Sequence, residues 1–106
     1  MNRKLVPISF GEAKSIAEQH AFVDFRDVVK DASQVLKKEY LEAEYCWMFF
    51  RNDQIVVPLE ATLGMKWAYV VSKKGTYSMV QDFSGDEKKL LDYLNAMSDH
   101  FKKRDE

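Results

Sequence analysis

Few side chains in this chain of 106 residues could do covalent or acid–base chemistry: Cys46, His20 and His100, and the carboxylates Glu42 and Glu44 two positions apart. A thiolate nucleophile needs a helix amino terminus or a cationic neighbour. Cys46 instead opens the apolar run Cys46, Trp47, Met48, Phe49 and Phe50, and a buried structural thiol is favoured by roughly ten to one there. A zinc site requires three or four Cys or His ligands at fixed spacing, and these three lie far apart. The two histidines fall near helix carboxyl ends, where capping is their simplest role. Glu42 and Glu44 could share acid and base duties, but exposed carboxylates two apart on a strand usually form a solvated face. Gly11, Gly64, Gly75 and Gly85 are isolated, so no phosphate-cradling loop is present. The chain therefore reads as a binding protein, not an enzyme, with no catalytic residue, metal or cofactor.

Recognition chemistry is more evident. Glu39, Tyr40, Glu42, Glu44 and Tyr45 set rigid aromatic area beside negative charge, a mixture suited to a basic partner surface. Between Asp31 and Met65 the acids Asp31, Glu39, Glu42, Glu44, Asp53 and Glu60 outnumber the bases Lys37, Lys38 and Arg51. These five residues are the candidate partner-binding set. A solvated strand edge with its two tyrosines half in the core is about as good a reading of them.

Length and charge bound the class. A chain of this size fits one domain, residues 1–106, which buries roughly two thirds of its unfolded surface. With 46% hydrophobic and 31% charged residues it has the composition of a soluble globular protein. A net charge of -1 gives no basic field to gather nucleic acid. No apolar run suits a signal peptide or a membrane span, and a lone cysteine agrees with a reducing compartment. The expected location is cytoplasmic.

The elements that must position these residues form an α+β domain, an antiparallel sheet of four to five strands flanked by an N-terminal and a C-terminal helix. Ser9 and Glu12 have capping-box spacing, with Ile8 and Ala13 as a staple, and predict a helix over about Phe10 to His20. Ser84 and Glu87 repeat the box before Leu90, Leu91, Leu94, Met97 and Phe101, predicting a helix over about Gly85 to Lys103. Between them, strands are expected at Phe22 to Val29, Tyr45 to Phe50, Gln54 to Val57, Trp67 to Ser72 and Thr76 to Asp82. Lys73, Lys74 and Gly75 make a tight hairpin, Asn52 and Asp53 a turn, and Pro58 to Lys66 a loop. Asp31 to Ala43 is ambiguous, read as a short helix or turn that becomes extended near Tyr40. Both helices are expected on one sheet face, over a core containing Trp47 and Phe49.

The order of Gly11, Glu12, Ala13, Lys14, Ile16 and Ala17 in a capped helix, then Tyr45, Trp47, Phe49, Phe50 and Asn52, then Ala68 to Val71 with the Lys73 to Thr76 turn, then a helix after Phe83 with Tyr93 and Leu94, resembles the small bacterial YrhB-like immunity-protein family. The resemblance implies a cytoplasmic protein of bacterial competition, a toxin inhibitor that binds a cognate toxin domain and neutralises it. It brings no catalytic residues. The alternative is a small α+β ligand-binding or adaptor domain, dimerising through an exposed sheet edge.

Overall fold

The computed structural model describes residues 8–25, 31, 35–52, 55 and 67–106. Helix α1 spans Phe10–Phe25. Its capping box forms as the spacing predicts: Ser9 N donates to Glu12 Oε1 at 2.9 Å, and Glu12 N donates to Ser9 Oγ at 3.1 Å. Ala13, Ala17 and Ala21, one turn apart, are fully buried and let the helix lie close to the sheet. This row carries the helix past His20, so Phe22 to Phe25 continue α1 and do not begin a strand. Residues 26–29 of that expected strand lie outside the described residues.

Strands β1 (Leu36–Glu42), β2 (Cys46–Arg51), β3 (Trp67–Ser72) and β4 (Tyr77–Gln81) form an antiparallel meander in the order β1-β2-β3-β4. Segment 36–42 is thus a strand along its whole length, correcting the expected helix or turn before Tyr40. A register shift between Leu36 and Tyr40 against β2 breaks its alternation, and Lys37, Lys38 and Glu39 at a sheet edge carry no apolar signal. Ile55 is not in a strand. The rest of the strand expected at Gln54 to Val57, the loop from Pro58 to Lys66 and Asp53 of the expected turn lie outside the described residues.

All six residues of β2 are buried, because the helices cover opposite faces of the sheet. Trp47 and Phe49 pack with Tyr69, Val71 and the α1 alanines. Cys46, Met48 and Phe50 pack with Ala68, Val70, Val80 and the last helix, α2 (Glu87–Arg104), through Leu94 and Phe101. This corrects the expectation of both helices on one face. An uninterrupted apolar strand is the pattern of a strand covered twice, since alternate side chains point to opposite faces. Trp47 and Phe49 are core residues as expected, but beneath α1.

Helix α2 is capped by Asp86, whose Oδ1 accepts from Lys89 N at 3.1 Å, and not by Ser84. The Ser84 amide donates instead to Asp82 Oδ1 at 2.8 Å, closing a local turn before the helix. Leu91 is 42% exposed and lies off the buried stripe.

Candidate functional site

The two hairpin turns and the carboxyl end of α2 meet at one end of the sheet, with Tyr45 at the junction. Its amide donates to Ser98 Oγ on α2 at 2.9 Å. Its carbonyl accepts from Lys73 N at the β3–β4 turn at 2.9 Å. Its ring packs against the α2-side core, with Lys102 Nζ 5.8 Å from the ring centroid. Three elements therefore fix the position of one half-buried tyrosine, with its ring beside a cation.

The β3–β4 turn is held as firmly. Gly75 takes φ +97, open to glycine at little cost. The buried Ser72 hydroxyl accepts from Lys74 N at 3.2 Å and Thr76 N at 2.9 Å, and donates to the Glu106 carbonyl at 2.6 Å. Asp105 ends α2 in the left-handed conformation, and its carboxylate pairs with Lys74. Between these parts lies a groove of about 320 Å³, lined by Glu44, Tyr45, Lys73, Lys74, Phe101, Lys102, Asp105 and Glu106. A recess of about 220 Å³ shares Glu44, Tyr45 and Lys102 and extends along Asn95, Ser98 and Asp99.

On the α1 side, Glu42 Oε2 lies 2.5 Å from Lys73 Nζ, which sits 4.3 Å from the centroid of the Trp47 ring. Tyr40 packs on Phe10, with ring centroids 4.5 Å apart, yet remains 43% exposed. The candidate segment therefore wraps the edge of the sheet. Tyr40 and Glu42 lie on the α1 side, opposite Phe49 and Trp47. Glu44 and Tyr45 line the groove on the α2 side, and Glu39 is exposed on β1 beside Lys37 and Lys38.

The sequence reading missed Lys73, Lys74, Lys102 and Asp105. They reach Glu44 and Tyr45 only through the tertiary fold, and the adjacent lysines of the hairpin were their one local sign. Their arrival makes this end of the molecule mixed in charge, although the Asp31 to Met65 segment is acidic by count. Glu42 is engaged by Lys73, leaving Glu39 and Glu44 as the more available carboxylates of the set.

Little here favours covalent chemistry. The Cys46 thiol, fully buried, is pushed up to about 11 by loss of solvation, against a smaller opposing pull from Lys73. It is protonated at neutral pH and a poor nucleophile. His20 stacks on Tyr77 at 3.9 Å on the α1 face, across the sheet from the thiol, and His100 lies edge-on to Phe101. Among the described residues no group of three His, Cys, Asp or Glu is placed to hold a metal ion, and no helix is long and apolar enough to cross a membrane. Comparison with protein-family models, with curated proteins and with solved structures returns no match.

Proposed function

We propose that this chain works by stoichiometric binding and not by turnover. In this reading it is a cytoplasmic immunity protein of the YrhB-like kind, neutralising a cognate bacterial toxin domain one to one without a cofactor. The observation that carries the reading is the edge formed by β1 and its turn, where Glu39, Tyr40, Glu42 and Glu44 are exposed together. Tyr40 is braced from beneath by Phe10 and Phe49, so it offers contact area at little further cost in side-chain entropy. Glu39 and Glu44 supply charge that would speed association with a basic surface.

The test is a search of the reading frames adjacent to this gene for a toxin-like carboxyl-terminal domain, followed by its co-expression with this chain; an isolated gene would count against the reading. Association rates and protection of challenged cells are compared for the parent and for a Glu39→Lys/Glu44→Lys variant. The reading expects slower association, most pronounced at low salt, and lost protection with an unchanged melting temperature. Equal binding and protection by the variant would place the interface elsewhere.

The second reading, a small-ligand or adaptor domain, is favoured by the groove beside Tyr45 and Phe101, whose volume reaches the lower range of small-molecule sites. Binding of a small aromatic anion by the parent that is lost in Tyr45→Ala, together with no tight binding of a toxin domain, would support that reading over the first.

A further inference from the structure

The two edges of the sheet differ in a way that bears on self-association. Strand β1 shows the protections common on exposed edges: a register irregularity and the charges of Lys37, Lys38, Glu39 and Glu42. Strand β4, the opposite edge among the described residues, reads Tyr77, Ser78, Met79, Val80, Gln81, with no charge and no proline. It pairs with β3 in unbroken register from Trp67↔Gln81 to Val71↔Tyr77. It is therefore regular up to its outer side.

The direction of its backbone groups follows from one bond. Ser72 N donates to the Thr76 carbonyl at 2.8 Å, so the pair 72/76 is a hydrogen-bonded one, and by alternation so are 70/78 and 68/80. Met79, opposite Tyr69, belongs to the other class, as does Gln81 opposite Trp67. Their N–H and C=O groups point away from β3. Met79 is 46% exposed, and on the helix above, Val23, one turn beyond the His20 that stacks on Tyr77, is 62% exposed. A regular backbone edge thus carries an exposed apolar side chain at its centre.

We infer that β4 is a homodimer edge, pairing antiparallel with β4 of a second copy to extend the meander into one continuous sheet. A two-fold axis through Met79 makes Met79 its own partner and sets Tyr77 opposite Gln81. A second copy is the fitting occupant because the strand is self-complementary under that axis. Under that axis it brings no charge against its own copy.

Sedimentation equilibrium from micromolar to millimolar protein, combined with amide exchange read residue by residue, tests this. The expected result is a concentration-dependent dimer in which the Met79 and Gln81 amides slow on dimerisation, while those of Ser78 and Val80, bonded to β3, are slow at every concentration. Met79→Lys puts two ammonium groups face to face and should give a folded monomer at low salt that regains dimer as salt rises. Met79→Ala, which keeps the outward N–H, should still dimerise. A wild-type monomer at millimolar concentration, a dimer without the alternating protection, or a fully dimeric Met79→Lys protein at low salt would each overturn the assignment.

Discussion

The Lys73 ammonium lies over the Trp47 ring, Nζ 4.3 Å from the ring centroid, and thereby joins the β3–β4 turn to the α1-side core. Glu42 holds the same ammonium from the β1 side. Trp47 is 5% exposed and Lys73 only half-buried, so the two contribute unequally. Trp47→Ala should cost about 3 to 5 kcal/mol, because it leaves a cavity under α1. Lys73→Ala should cost about 1 kcal/mol through the lost cation–π contact. Denaturant unfolding of the two variants measures both, and a Trp47→Ala protein with an unchanged midpoint would refute the core assignment.

Alkaline stability should carry the mark of Cys46. Its folded-state value, raised from 9.0 to about 11 by burial, lies above its unfolded value, so the unfolded chain loses the proton first. The stability linked to the protonated thiol is present below pH 9.0 and is lost as pH rises to about 11. Cys46→Ala should be less stable near neutrality because of the cavity, yet show a smaller decline across that window. Melting temperatures of the two proteins through the alkaline range decide it, and parallel curves would refute the linkage.

The start of α2 offers a paired test of capping. Asp86→Ala should cost about 1 kcal/mol, since it removes the acceptor for Lys89 N. Ser84→Ala should stay within about 0.5 kcal/mol, as an exposed position outside the cap. The reverse order, measured by thermal or denaturant unfolding, would return the cap to Ser84.

At the β3–β4 turn, Gly75→Ala should destabilise by about 1 kcal/mol or more. The nearest side chains, Ile8 and Ile16, stand 3.9 Å from where the new methyl group would sit. The loss would therefore come from the φ of +97 and not from crowding. A Gly75→Asn variant, better tolerated at positive φ, should recover part of it.

The strand Cys46 to Phe50, the β3 to β4 hairpin and the capped start of α1 were legible in the residues because each rests on local chemistry: an unbroken apolar run, a glycine turn, and Ser9 three residues before Glu12. What the run implied about layers was harder to read. A strand with Trp47 and Phe49 on one side and Met48 and Phe50 on the other requires cover on both faces, and the two helices divide that work. The first half of β1, before Tyr40, escaped detection because Lys37 to Glu39 sit at an edge, where burial imposes no period. Phe22 and Val23 resemble a strand by composition, yet the row of Ala13, Ala17 and Ala21 extends the helix through them, as tertiary packing overrides local propensity. The candidate segment was legible as residues but not as a surface, since Lys73, Lys74 and Lys102 join it from distant parts of the chain.

Because each helix rests on its own side of β2, detaching one leaves the packing beneath the other in place. Local opening then has two independent routes, one baring Trp47 and Phe49 and the other Cys46, Met48 and Phe50. The α2 route is additionally latched where Ser72 donates to the Glu106 carbonyl and Lys74 pairs with Asp105. The thiol of Cys46 lies behind that latch, so its rate of alkylation under native conditions is a clock for one layer alone, silent to every excursion of α1.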